Sequence, residues 1–110
     1  MNREFINEVM ETAREFPWIK RIDTRSVGRI VRIRLWINDE FIDLYYNSEF
    51  GTTSYAYIEN GERRFGANNM KIGWHIHPYG EIEKHEPIEH LEIKKFLNIL
   101  EKELKKRKKI

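Results

Sequence analysis

The stretch VGRIVRIRLWINDEFIDLYY, residues 27–46, predicts two antiparallel β-strands joined by a polar turn. Val31, Ile33, Leu35 and Ile37 alternate with arginine and tryptophan side chains, and a period of two is typical of a strand with one buried face. The turn Asn-Asp-Glu separates this strand from a second one that is rich in aromatic residues. We therefore expect a hairpin near the centre of the chain.

Strand signals continue beyond this hairpin, and helix signals flank it. Asn60-Gly61 is the strongest turn signal, because both positions tolerate positive φ. Apolar residues recur at spacings of three and four over 2–16 and over about 89–108, which predicts an amphipathic helix at each end. The predicted strands are 27–37, 41–46, 53–58, 63–67 and 71–77. The sequence predicts a single α+β domain over residues 1–110, a five-stranded antiparallel β-meander flanked by an N-terminal and a C-terminal α-helix.

The composition narrows the class of protein. The 110 residues contain no cysteine, which excludes disulfide frameworks, cysteine-ligated zinc and thiol nucleophiles. No segment has the length of apolar sequence that a transmembrane helix needs, and the N-terminus has no secretory h-region. We therefore expect a cytoplasmic protein with no membrane partner. Glutamine is absent while Glu, Lys, Arg and Ile are abundant, and this bias favours a thermophilic bacterium or archaeon as host.

The charges are nearly balanced but strongly segregated along the chain. The 20 basic and 18 acidic residues give a net charge of +2. Basic residues concentrate at 20–34 and 104–110, and acidic residues concentrate at 38–61 and 81–92. The basic segments either form solvated surface or bind an acidic partner such as RNA.

His75 and His77 are the strongest candidates for chemistry. They flank one residue of a predicted strand, so both lie on the face opposite to the apolar side chains. Side by side, two histidines suit proton transfer, although the same pattern also occurs as plain surface polarity. A metal site would need a third ligand, for which the sequence offers His85, Glu81 and Glu83. We expect acid–base use, with no metal and no cofactor.

Other residues are assigned to the histidine face by parity along their own strands. Arg63, Tyr55 and Tyr57 share the odd numbering of the two histidines, and Arg32 and Arg34 lie opposite the apolar positions of the first strand. Arginine binds phosphate, aromatic rings stack on bases and histidine transfers protons. These five residues are the predicted RNA-binding set.

Several of these features occur in an order that resembles the TumE family of small prokaryotic toxins. The strand at 55–58 and a short turn precede the Arg-aromatic pair Arg64-Phe65. A strand ending in His75-Ile76-His77 follows, and a linker leads to a final amphipathic helix at 88–104.

The resemblance implies the toxin component of a type II toxin–antitoxin system, held in check by a cognate antitoxin protein. Such toxins commonly attack RNA or block translation in another way. The face of histidine, arginine and tyrosine side chains is compatible with metal-free RNA cleavage, in which one of His75 and His77 accepts the 2′-hydroxyl proton and the other protonates the leaving oxygen. Arg64 of the Arg-aromatic pair is the third predicted catalytic residue, to stabilise charge on the phosphorus, and Arg32 is the alternative for that role. Strict alternation would turn Arg64 away from the histidines, and a bulge near Gly66 would be needed to reconcile the two.

Two alternatives to this ribonuclease stay open. The first is a non-catalytic module that binds RNA or protein through the sheet and the basic segment. The second is a metal-dependent hydrolase that uses the two histidines and a third ligand. A homodimer is a further expected partner, since the final helix has an apolar stripe.

Overall fold

Over the residues that the structure describes, seven strands form one antiparallel sheet in which each strand pairs with the next along the chain. The computed structural model describes residues 2–71 and 73–110. Helix α1 spans Asn2–Ala13 and helix α2 spans Ile93–Lys106, one before and one after the sheet. The strands are β1 (Arg21–Val27), β2 (Ile30–Trp36), β3 (Phe41–Asn47), β4 (Thr52–Glu59), β5 (Glu62–Asn68), β6 (His75–His77) and β7 (Glu86–Pro87).

The α+β class and the two flanking helices agree with the sequence prediction, but the predicted count of five strands is wrong. The predicted first strand began at Val27, whereas the chain turns at Gly28 and a whole strand, β1, precedes it. Gly28 has a φ of 59°, which glycine adopts without strain at the first position of a two-residue hairpin loop. The two-residue strand β7 had no periodic signal because it is too short to show one.

The predicted strand at 71–77 is also shorter in the structure. Lys71 and Gly73 have φ values of 62° and 88°, so the backbone there is outside the strand region and pairing begins only at His75. The part of that prediction that falls on Ile72 lies outside the described residues.

Both helices are shorter than the apolar periodicity suggests. Helix α1 ends at Ala13, and Phe16 and Trp18 beyond it are buried in an irregular connection. Pro17 disfavours helical backbone at the residue before it, which explains the early stop. Helix α2 begins at Ile93, because Glu92 is extended with φ −77° and ψ 157°. Within the described residues, no helix is long and apolar enough to cross a membrane.

The core lies between one face of the sheet and the two helices. Register places Ile42 opposite Tyr57 and Leu44 opposite Tyr55, so these side chains share a face. They pack with the buried residues of α2, namely Ile93, Phe96, Leu97, Leu100 and Leu104. We call the other face, which carries no helix, the open face.

Candidate active site

Three histidines meet at one corner of the open face. His75 and His77 are carried by β6, and His85 is carried by the loop that follows it. The ring centroids are 5.0 Å apart for His75 and His77, 5.0 Å for His75 and His85, and 4.4 Å for His77 and His85. One ring nitrogen of each lies within 4.8 Å of the other two. We call these three residues the histidine cluster.

Backbone hydrogen bonds orient two of the three rings. Nδ1 of His75 lies 3.0 Å from the carbonyl oxygen of Gly73, and Nδ1 of His77 lies 2.8 Å from the carbonyl oxygen of Ile82. A carbonyl oxygen only accepts, so in each ring Nδ1 carries the proton and donates it. In the neutral ring the lone pair is therefore on Nε2, which is the nitrogen left free for chemistry.

The two strand histidines are buried, which the sequence did not indicate. His75 is 5% exposed and His77 is 3% exposed, while His85 is exposed. Burial lowers the pKa of His77, and the nearby charges of Arg63 and the other two histidines lower it further, against the raising effect of the hydrogen bond to Ile82. A lowered pKa leaves His77 neutral at neutral pH, with its Nε2 lone pair available.

A bulge in β5 brings Arg63 to the histidine cluster. Tyr57 pairs with Phe65 and Ile58 pairs with Arg63, so Arg64 between them is an extra residue on this strand. Arg63 therefore points to the open face, where its positive charge acts on the ring of His77. Phe65 turns to the core, and the assignment of Arg63 to the histidine face is the one that the pairing supports.

The pocket at the histidine cluster is small and has a cationic rim. Its volume is about 250 Å³, and it is lined by the three histidines together with Arg63, Asn68, Met70 and Lys71. The carboxylates that the sequence offered as metal ligands do not join it: Glu81 pairs with Lys84 at 2.9 Å, and Glu83 is not part of the cluster. An anion, such as a phosphate group, would meet Arg63 and Lys71 beside the histidines.

Arg64, predicted to be catalytic with the histidines, lies on the other side of the sheet edge. Its Nε is 3.8 Å from Glu59 Oε1 and its Nη2 is 3.2 Å from Glu62 Oε2. The bulge does occur, but it separates Arg64 from the histidine cluster instead of joining them. The assignment of Arg64 to the same site as the histidines is therefore corrected, and Arg63 occupies that place.

Tyr55 and Tyr57, predicted to bind RNA, face the core. They are 4% and 1% exposed, and the hydroxyl of Tyr55 donates a hydrogen bond of 3.0 Å to the carbonyl oxygen of Leu91. Register is the reason: Tyr55 pairs with Ala67, which pairs with Ile76, so the tyrosines share the face of Ile76 and not of the histidines. Residue-number parity does not carry over from one strand to another, because each turn resets it.

Arg32 and Arg34 lie on the open face as expected, but in a second pocket. They line a depression of about 460 Å³ with Asp23, Thr24, Arg25 and Asp43. Asp43 lies 3.7 Å from Arg32 Nη1 and 3.9 Å from Arg34 Nε. Four strand spacings of about 4.8 Å separate β2 from β6, so the two pockets are roughly 19 Å apart.

The floor between the two pockets carries small side chains. Pairing runs across the open face from His77 to Gly66, then to Ala56, Asp43 and Arg34. Ser54 lies beside Ala56 on the same face. An elongated ligand between the histidine cluster and the arginine pocket would therefore cross the small residues Gly66 and Ala56 before it reaches Asp43 and Tyr45 on β3.

Sequence reasoning gave too little weight to His85 and did not find Lys71. His85 was only one of three possible third ligands, because its approach depends on how the loop after β6 folds back. Lys71 has positive φ in a turn, and no periodic pattern marks such a position. The one sequence signal for the group was the crowding of all four histidines of the chain into residues 75–90.

The cluster has the donor set for two kinds of chemistry. Neutral imidazoles can accept protons, and three converging imidazoles, two of them with their second nitrogen bonded to a backbone carbonyl, are also a common environment for a divalent transition metal. Comparisons of the chain with protein-family models, with curated proteins and with solved structures find no match. The resemblance to the TumE family therefore stays a prediction that depends on the motifs alone.

Proposed function

We propose that this chain cleaves RNA at the pocket over the histidine cluster. The observation that carries the proposal is the meeting of three histidines with Arg63 and Lys71 in one pocket, since a phosphodiester needs both a group that moves protons or activates water and a cation for its charge.

The open face supplies a path for the rest of the nucleic acid. Arg25, Arg32 and Arg34 line the second pocket, and the small residues of β4 and β5 separate it from the histidine cluster. The guanidinium of Arg32 lies 5.0 Å from the ring centre of Tyr45, a half-buried aromatic residue on the same face. Arginine and tyrosine together are a common combination for single-stranded RNA.

The proposed reaction uses the RNA's own 2′-hydroxyl. Its oxygen attacks the adjacent phosphorus, a P–O2′ bond forms, and the P–O5′ bond breaks. The 2′-hydroxyl proton leaves to a base in the pocket, and a proton is delivered to the departing 5′-oxygen. Arg63 is placed to stabilise the extra negative charge on the phosphorus oxygens, in the role first assigned to Arg64.

The biological setting proposed for this activity is that of a toxin held in check by a cognate antitoxin protein. Support for the setting comes from the order of motifs between residues 55 and 104. A homodimer and a complex with the antitoxin are both parts of this proposal.

Tag-free protein incubated at elevated temperature with single-stranded and hairpin RNA tests the cleavage. We expect wild-type protein and His90→Ala to cleave, because His90 lies outside the histidine cluster, and His77→Ala to lose cleavage at least 100-fold. Circular dichroism of each variant checks that the fold is kept, and His77→Gln provides a second, polar replacement for the buried ring.

The non-catalytic binding module is the competing outcome of the same experiment. Wild-type protein that binds RNA without cleaving it, with an affinity that falls with salt and is weakened by the double change Arg32→Glu and Arg34→Glu, would replace the enzyme with that module. Protein that neither cleaves nor binds RNA would overturn the RNA proposal altogether.

A further inference from the structure

We propose that His75, His77 and His85 bind one divalent transition-metal ion of the zinc type, with a fourth coordination position open to the pocket. The inference deepens the proposed function at the same site and relies on it for the role of the metal in catalysis. The binding of the metal itself is measured without RNA.

The convergence of three ring nitrogens is the first support. One nitrogen from each histidine lies within 4.8 Å of the other two. A single proton cannot satisfy three acceptors at one point, whereas a metal ion can. Among the described residues the pocket contributes no carboxylate, so the donor set is three imidazoles, which suits zinc and its transition-metal neighbours and not magnesium or calcium.

The backbone hydrogen bonds are the second support. Metal-binding histidines usually donate their other N–H to a carbonyl or a carboxylate, which sets the tautomer and aims the ring. His75 and His77 both do so here, to Gly73 and Ile82. Two ligands are thus oriented in advance by β6 and by the loop that follows it.

The third ligand, His85, lies in a loop and not in a strand. Zinc–nitrogen bonds of about 2.0–2.1 Å with tetrahedral angles bring ligand nitrogens to roughly 3.3 Å from one another. Nitrogens up to 4.8 Å apart must therefore approach by about 1.5 Å or less. His85 is exposed and lies in the loop between β6 and β7, so a small movement of that loop closes the site.

The loop between β6 and β7 provides both the carbonyl that orients His77 and the third histidine. Ile82 provides the carbonyl that orients His77, and His85 follows three residues later. Binding of an ion would hold the loop against β6 through both residues at once. A metal in this place should therefore stabilise the folded chain, because a ligand that binds only the folded state raises its stability.

Three protein ligands leave one tetrahedral position for a water molecule or a phosphate oxygen. That position faces the pocket, where Arg63 and Lys71 lie beside it. A bound ion of this kind supplies a Lewis acid for a phosphate oxygen and lowers the pKa of a bound water.

The test uses the tag-free full-length chain, stripped of metal by a chelator and dialysed. Zn²⁺ is titrated by calorimetry, and Co²⁺ is titrated by its visible absorption, which reports tetrahedral nitrogen coordination. We expect one ion per chain and a rise in melting temperature with Zn²⁺. His85→Ala should weaken binding at least 10-fold and abolish the rise, because this exposed residue can be removed without disturbing the core.

His90→Ala is the matched control, since it removes an exposed histidine outside the cluster and should bind Zn²⁺ like wild type. Substoichiometric binding by the wild type, or equal affinity in His85→Ala, would overturn the metal site. If His85→Ala misfolds by circular dichroism, His85→Gln takes its place and the same 10-fold loss is required.

RNA cleavage on the same samples separates this inference from the proposed function. Stoichiometric metal without RNA cleavage leaves the metal site standing and overturns the ribonuclease. RNA cleavage that survives both the chelator and His85→Ala leaves the ribonuclease standing in its metal-free form and overturns the metal's place in it.

Discussion

Arg63 and Arg64 are neighbours in the chain, yet they belong to two differently built polar clusters on opposite sides of the sheet. Arg64 joins Glu59, Tyr57 and Lys109 in what we call the Glu59 cluster. Glu59 there accepts a hydrogen bond of 2.6 Å from Lys109 Nζ and lies 3.4 Å from the hydroxyl of Tyr57. Glu59 thus has a cation and a hydroxyl as partners and attaches Lys109 to β4, while Arg64 Nε is buried without a hydrogen-bond partner, 3.8 Å from Glu59 Oε1.

The histidine cluster is built in the contrary way. Arg63 faces three imidazoles, and within the described part of the chain it forms no ion pair. In each of the two buried rings, Nδ1 donates a hydrogen bond to a backbone carbonyl and Nε2 forms no hydrogen bond within the described residues. Three imidazoles that share a pocket with a cation point to a ligand, whereas the pairing of Glu59 with Lys109 and Tyr57 points to a structural role.

The largest expected effect comes from replacing each of the two arginines by alanine and comparing RNA cleavage. Arg63→Ala should lower RNA cleavage by about 100-fold, because it removes the cation nearest the scissile phosphate, and should leave the urea midpoint unchanged. Arg64→Ala should keep cleavage and lower the free energy of unfolding by about 1 kcal/mol, because Glu59 loses a partner. Equal loss of cleavage in both variants would contradict the division into two clusters.

Gly66→Ala tests whether the position of Arg63 depends on the absence of a side chain at residue 66. A Cβ at this position would be 2.8 Å from the backbone oxygen of Tyr55 and 3.5 Å from Arg63 Cδ. Since backbone must shift to admit it, we expect a loss of about 2 kcal/mol in urea unfolding together with weaker cleavage. The neighbouring change Ala56→Gly is the control, with a loss of about 1 kcal/mol or less from backbone flexibility alone.

Glu59→Gln sharpens the contrast through pH. The hydrogen bond from Lys109 is the main cause that lowers the pKa of Glu59 below its ordinary value, helped by Tyr57 and Arg64 and opposed by burial. A depressed pKa stabilises the fold above the unfolded value of about 4.3 and loses that contribution as pH falls through the folded value. The wild type should therefore be more stable than Glu59→Gln at pH 6, and the two should converge toward pH 3 in urea titrations.

The smallest effect is expected for Tyr57→Phe. Among the described residues its hydroxyl has one hydrogen-bond partner, Glu59 at 3.4 Å, and the ring lies in the core. We expect a loss of at most about 1 kcal/mol and no change in RNA affinity. Tyr45→Ala, on the open face next to Arg32, is the comparison that should weaken RNA binding. A Tyr57→Phe protein that bound RNA several-fold more weakly would restore the tyrosine assignment made from parity.

The sequence by itself determined the elements whose signals are local. Alternation in β2 and spacings of three and four in α2 reflect burial of one face, and burial is the main force on both. Asn60 and Gly61 adopt φ values of 53° and 76°, as the turn signal requires. The position of His75 and His77 on the same face likewise follows from the two-residue period of a single strand.

Only the tertiary structure decided what depends on how strands are registered and how loops return. Pairing between strands places the bulge that separates Arg63 from Arg64, and it turns Tyr55 and Tyr57 to the core. The return of the loop after β6 brings His85 to His77. Strand register and the path of a loop depend on packing over the whole sheet, so they cannot be predicted from the sequence of one segment. For this reason the histidine pair was readable from the sequence, and the three-histidine cluster was not.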